Sequence, residues 1–284
     1  MGLALETIVG YVASGTGTTT YDALTPNANQ SYTVRSYPDG SSAWLEDAWG
    51  ATSAAQWLWS IKSPRLHDDV KGILMAVNAY TNTGSTVIFN PNTNLPGFLT
   101  QKLFSTDVLS VTALAATATN KFVGVMNVRY ENLGGVNARL FHWNEIGPQI
   151  VNLVGIEVQP AASGTVGHFG TGVALNSVDQ RLKANTDYAW LGYTCSIPVT
   201  ALVMNGVDVG NLNVGGPGAY DSSSTGDFFV AQSLKYNTAH IPVVNSNNQG
   251  GTFISIADVT ASTAPNVTLY FGELRNRLGN PSTP

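Results

Sequence analysis

The chain has 284 residues, of which 11% are charged, less than half the roughly 25% usual for soluble domains, and its formal net charge is −5. Its 13 Lys and Arg are scattered, with Arg275 and Arg277 the only close pair near a terminus, so the basic stripe of a nucleic-acid-binding protein is missing. A single cysteine, Cys195, excludes an internal disulfide and reads as a small buried apolar group, and no apolar run approaches the roughly 20 residues of a membrane span.

Gly, Ser, Thr and Asn are abundant, and the β-branched and aromatic residues pack best on a pleated surface, so the composition predicts an all-β protein. The opening MGLALETIVGYVASG lacks the basic start and long apolar core of a signal peptide. Met1-Gly2 begins a myristoylation pattern that Glu6 breaks. Short apolar or alternating runs bounded by turn residues then predict strands at Ile8–Ala13, Ser31–Tyr37, Ala43–Trp49, Gln56–Ile61, Gly72–Ala79, Thr86–Asn90, Val108–Ala116 and Phe122–Tyr130. Of these only the stretch His67–Tyr80 fits a helix nearly as well.

Residues 132–149 follow, NLGGVNARLFHWNEIGPQ, with Gly134, Gly135 and Pro148 as breakers. Leu140, Phe141 and Trp143 are too large and apolar for a free linker, and they are expected to pack between domains or at a subunit contact. The remaining strands are predicted at Ile150–Val158, Gly172–Asn176, Ala189–Ile197, Ala201–Asn205, Leu212–Gly216, Phe228–Leu234, Thr252–Ala261 and Val267–Arg275.

The two sets of strands are related. Ala-Trp-Leu occurs at Ala43 and again at Ala189; Thr7–Ala13 lies over Asn152–Val158; and Val108–Leu133 lies over Phe253–Leu278 without a gap, all in the same order at offsets of about 145 residues. A period that long repeats a whole domain. The expected organisation is therefore a first unit over 1–131, a connection over 132–149 and a second unit over 150–284. Eight antiparallel strands per unit is the jelly-roll count, two Greek keys folded into facing sheets, although strand number alone does not give strand order.

The sequence holds few of the residue patterns that catalysis needs. His67, His142, His168 and His240 form no close metal-ligand pair, so the clustered ligands of a bicupin are missing; His142 and Glu145, at helical spacing, read as structural. The acidic pairs Glu46-Asp47 and Asp68-Asp69 are adjacent, and neighbours on a strand point to opposite faces, so neither pair is expected to work alone as acid and base. SGTGTTT lacks the Lys-Ser/Thr ending of a phosphate loop, and there is no Gly-x-Ser-x-Gly elbow. Trp44, Trp49, Trp57 and Trp59 fall close together, and core or interface positions suit them better than an exposed sugar platform.

A duplicated, eight-plus-eight-strand chain without cysteine pairs, charge clusters or catalytic groups resembles the double jelly-roll major capsid proteins of the PRD1–adenovirus lineage. It is most similar to the short members found in bacteriophages such as PM2 and FLiP. The resemblance is architectural and rests on the repeats 7–13/152–158, 43–45/189–191 and 108–133/253–278. It implies two upright jelly rolls per chain and a homotrimer with a pseudo-hexagonal footprint. It further implies a role in an icosahedral, membrane-containing virion assembled in the host cytoplasm, with other capsomers and minor capsid or membrane proteins as partners. Neither catalysis nor a cofactor is implied, nor sequence-specific nucleic-acid binding. A tandem β-sandwich that binds carbohydrate or a receptor, as in a phage spike or lectin, is the alternative.

Overall fold

The computed structural model describes residues 2–53, 57–64, 72–77, 101–115, 118–177, 182–218, 225–259 and 264–279. The strand predicted at Thr86–Asn90 lies outside them, as do His67, Asp68 and Asp69.

In the first half the strands are β1 (Leu3–Val12), β2 (Asp22–Ala23), β3 (Thr25–Pro26), β4 (Ser42–Thr52), β5 (Trp57–Lys62), β6 (Ile73–Val77), β7 (Gln101–Leu103), β8 (Ser110–Ala115) and β9 (Phe122–Glu131). They form two antiparallel sheets, ordered β3-β1-β9-β4-β7 and β2-β8-β5-β6. The second half has β10 (Leu140–Phe141), a short helix α1 (Trp143–Ile146), β11 (Ile150–Val158), β12 (Val173–Ala174), β13 (Asp187–Cys195), β14 (Val199–Asn205) and β15 (Val214–Gly218). A longer helix, α2 (Phe228–Tyr236), precedes β16 (Ile241–Asn245), β17 (Phe253–Ala257) and β18 (Val267–Leu274). Its sheets are ordered β10-β16-β13-β18-β11 and β12-β17-β14-β15.

Without the flanking strands β3 and β10, the described strands of both halves have one plan. The first, eighth, third and sixth strands share one sheet, and the second, seventh, fourth and fifth share the other. That is the jelly-roll order. All three sequence repeats fall on equivalent strands: β1 and β11, β4 and β13, and the pairs β8–β9 and β17–β18. The Ala-Trp-Leu copies, however, lie on opposite faces of their strands. Trp190 is fully buried in the core of its sandwich, whereas Trp44 points outward, half-buried, with the Arg129 guanidinium 5.9 Å from its ring. Because strand side chains alternate with period two, a slip of one residue is enough to exchange the faces.

Each sandwich interior is built on aromatic rings. In the first, Trp57 stacks on Phe122 at 5.1 Å and Trp59 tilts against the same ring at 5.7 Å. Gly124 on β9 is part of this packing, since a Cβ there would sit 2.7 Å from the Trp59 ring. In the second, Trp190, Tyr193, Phe228 and Phe229 form a continuous cluster, with Trp190 and Phe229 4.4 Å apart. Cys195 is buried beside them, and burial pushes its thiol up to about 12, so it behaves as a small apolar group.

Two predicted strands are corrected. Ser31–Tyr37 contributes only an isolated bridge, Thr33 to Val108, because its backbone bonds irregularly to the segment before β8, Val34 N–H to Asp107 O and Leu109 N–H to Tyr32 O. Phe228–Leu234 is the helix α2. Its buried positions Phe228, Phe229, Gln232 and Ser233 recur at helical spacing, and Asn237 terminates it in the left-handed conformation at φ 51°. The sixth strand of the second half is instead β16, over the unpredicted segment Ile241–Asn245.

Candidate functional site

The outer face of the β1-β9-β4 sheet is not open to solvent. Along β9, Phe122, Met126 and Val128 point into the first sandwich, while Val123 and Val125 point outward and are equally buried. They join Val9, Trp49 and Ala51 on one side and Val166, Ala201, Ala257 and Val259 on the other in a separate apolar cluster between the two halves. Trp49 anchors it: 1% exposed, its indole N–H donates to the carbonyl of Thr200 at 2.7 Å. The seam thus sets the five-stranded sheet of one sandwich against the four-stranded sheet of the next.

Next to this apolar patch the seam is hydrogen-bonded. Thr7 Oγ1 donates to Asn127 Oδ1 at 2.7 Å and accepts from the Gly215 N–H at 2.9 Å, and the Thr7 N–H donates to Asn213 O at 2.6 Å. Asn27 Nδ2 reaches Gly167 O at 2.8 Å, and Tyr11 OH pairs with His168 Nε2 at 2.8 Å. Every one of these bonds crosses between the halves except the Thr7–Asn127 link, which aligns the donors.

The far end of the seam holds charge. A β-bulge between Leu45 and Asp47 inserts Glu46 as an unpaired residue, which turns Glu46 and Asp47 toward the same side. The expectation that adjacent acids point to opposite faces therefore fails here. Their side chains are nonetheless fully engaged. Glu46 lies between Arg129 and His240, and Tyr236 of α2 donates to Asp47 Oδ1 at 2.8 Å, while Lys235 Nζ stands 3.7 Å from the same carboxylate. Burial opposes ionisation of Glu46, but the charges and hydrogen bonds of His240 and Arg129 outweigh it and hold the carboxyl below the usual carboxylate range. Burial together with the Asp47 and Glu46 carboxylates raises the Tyr236 phenol far above its ordinary value, so it stays a donor.

Leu140, Phe141 and Trp143 sit on the second half. Leu140 is buried and Phe141 half-buried on β10, which pairs with β16, and Trp143 is half-buried with its backbone N–H donating to Ser233 Oγ of α2 at 3.0 Å. The same segment is tied down by Arg139, which donates to Asp187 Oδ2 at 2.6 Å and to Leu278 O at 2.7 Å. Burial would raise the Asp187 pKa, but the bonds from Arg139, Asn245 and the Leu278 N–H lower it overall. His142 and Glu145 form a reciprocal cap on α1: His142 Nδ1 accepts from the Asn144 N–H and Glu145 Oε2 from the His142 N–H, each at 3.0 Å. Of the clustered tryptophans, Trp49, Trp57 and Trp59 are 1% exposed, which removes them from any sugar-stacking surface.

The seam has an orientation, and its two counterparts each carry exposed apolar side chains. On the second half, the outer face of the five-stranded sheet presents Val151 (50% exposed), Leu153 (69%) and the half-buried Thr194 and Tyr270. On the first half, the outer face of the four-stranded sheet presents Leu58 (37%), Leu74 (43%) and the half-buried Leu114. The seam strands are among those predicted from the sequence, but their role is not. The usable signal was β9, FVGVMNVRY, which is apolar on both alternating sets of positions, the pattern of a strand covered on both faces.

No family model and no curated protein matches the chain. Among solved structures it is similar to a cryo-EM structure of T=1 Penaeus vannamei nodavirus, at 11% identity over 97% of this chain and 99% of that one, with a TM-score of 0.22. The Macrobrachium rosenbergii nodavirus structure matches at 9% identity over 97% of each chain with a TM-score of 0.25. The protein YhaK from Escherichia coli matches at 8% identity over 95% of this chain and 86% of that one with a TM-score of 0.22. Scores this low do not establish a common fold, and the jelly-roll assignment rests on the strand order.

Proposed function

We propose that the protein is a structural capsid protein whose three-copy ring of six jelly rolls is the capsomer of an icosahedral bacteriophage shell. The orientation of the seam carries this reading. Within the chain, the five-stranded sheet of one sandwich docks on the four-stranded sheet of the next, so the contact is heterologous. Such a contact repeats from copy to copy and closes into a ring when its rotation permits. The free faces at the two ends, one bearing Leu153 and the other Leu58 and Leu74, are the surfaces on which a second copy would continue it. Three duplicated chains give six similar sandwiches, which suits a position of local six-fold symmetry.

On this reading the chain divides into a first jelly roll over 1–131, a connection over 132–149 and a second jelly roll over 150–284. The half-buried rims of Phe141 and Trp143 then lie at a subunit contact. The partners are other copies of this chain, neighbouring capsomers and minor capsid or membrane proteins of a virion assembled in the host cytoplasm around a lipid vesicle. No reaction is assigned to it. The adjacent acids Glu46 and Asp47 already have cationic or hydroxyl partners inside the seam, which fits a structural role. The test is the solution mass by light scattering, where a species near 90 kDa, three times the 30.0 kDa chain, is expected and a strict monomer at high concentration would overturn the reading.

A further inference from the structure

At one rim of the seam lies an open cleft of about 590 Å³, between the first half and the loop that joins β14 to β15. Its chemistry differs from that of the apolar seam beside it. Asn29, Asn205, Asn211 and Asn213 converge on it with the phenyl ring of Phe253, which is 41% exposed. The charged groups nearest to them cancel: Arg35 clasps Glu6 with two bonds, Nη2 to Oε1 at 2.6 Å and Nε to Oε2 at 2.8 Å. Gln30 and Asn27 are occupied in holding the wall, Gln30 by Val9 N–H and Thr7 O, and Asn27 by Gly167 O and Ala28 N–H. The others retain hydrogen-bonding capacity. Asn213 Oδ1 accepts from Asn205 Nδ2 at 3.2 Å, while Asn213 Nδ2, Asn205 Oδ1 and the side chains of Asn29 and Asn211 make no hydrogen bond among the described residues.

We propose that this cleft binds a neutral saccharide. An amide side chain offers a donor and an acceptor side by side, which matches the vicinal hydroxyls of a sugar ring, and an exposed phenyl ring matches its apolar C–H face. Among the described residues that line the cleft, the one Lys or Arg, Arg35, is already paired with Glu6, and His168 bonds to Tyr11 OH, which disfavours an anionic ligand. An apolar ligand would leave the amides of the cleft desolvated and unpaired. Asn29 and Asn211 adopt left-handed backbones, with φ of 64° and 56°, a conformation that few residues other than Gly and Asn take readily, so the loops that present these amides are built around them. The inference does not depend on the capsid reading, because the cleft is formed within one chain.

The experiment is a glycan array carrying neutral and acidic oligosaccharides, followed by titration of the best neutral probe against the wild type, Phe253→Ala, Phe253→Tyr and Asn213→Ala. Binding of a neutral oligosaccharide is expected, about tenfold weaker in Phe253→Ala and in Asn213→Ala and retained in Phe253→Tyr. Thermal midpoint and solution mass, measured on every variant, identify one that has lost its fold, in which case the other alanine variant decides. Absence of binding to any saccharide would overturn the proposal. So would binding confined to acidic saccharides, or neutral binding that neither alanine substitution weakens. Loss of the 90 kDa species would bear on the capsid reading alone.

Discussion

Replacing Trp49 by alanine isolates what the seam contributes. Trp49 lies outside both sandwich interiors, yet it is 1% exposed and its indole N–H bonds across the seam to Thr200. Truncating a fully buried aromatic residue costs roughly 3–5 kcal/mol, and the Thr200 carbonyl loses a bond worth about 1 kcal/mol. For a chain of this size, that corresponds to a fall in melting temperature on the order of 10 °C. Differential scanning calorimetry is the assay, with Trp44→Ala as the control. Trp44 lies on the same outer face but is only half-buried, so its loss should cost about 1 kcal/mol. Since Trp49 joins the halves without filling either core, its variant should also split the transition, each sandwich melting nearer its own temperature. A cost for Trp49→Ala no larger than that for Trp44→Ala would refute the seam as described.

Further outcomes follow from the same geometry. Glu46→Gln leaves Arg129 and His240 buried around a neutral amide and should cost roughly 3–5 kcal/mol by chemical denaturation at neutral pH; a cost under about 1 kcal/mol would show that the carboxylate is not paired as described. The folded Glu46 carboxyl ionises below its unfolded value of about 4.3, so the stability it adds is present above that pH and fades as pH falls through the folded value. Acid titration of stability should accordingly be shallower in Glu46→Gln than in the wild type, and identical slopes would contradict the assignment. Phe229→Ala, which removes a ring 4.4 Å from Trp190 and detaches α2 from the second core, should cost roughly 3–5 kcal/mol in urea unfolding, whereas an effect below about 1 kcal/mol would argue against that packing.

Most of the strand plan was legible because jelly-roll strands are short, alternating and separated by turn residues, and Ile150–Val158 matches β11 at both ends. The failures have physical causes. α2 begins Phe-Phe-Val, a strand-like run, and only the burial of Gln232 and Ser233 one turn later marks it as helical. β16, Ile-Pro-Val-Val-Asn, carries a proline, which lowers its standing as a strand. The pairing of Glu46 with Asp47 on one side depends on a bulge, and no local residue pattern announced it. The seam left one unread trace in the sequence, the doubly apolar pattern of β9, and the partner of that strand's outer face is evident only from the packing of β14 and β17 there.

The most direct test of the head-to-tail reading is light scattering on a mixture of two variants, Leu153→Lys and Leu58→Lys. Each substitution charges one of the two free faces and leaves the intrachain seam intact. Each variant alone should remain at 30.0 kDa, while the mixture, with one good face supplied by each partner, should form a species near 60 kDa, twice the chain mass, and the wild type one near 90 kDa. A mixture that stays monomeric beside a trimeric wild type, or variants that still trimerise on their own, would contradict it.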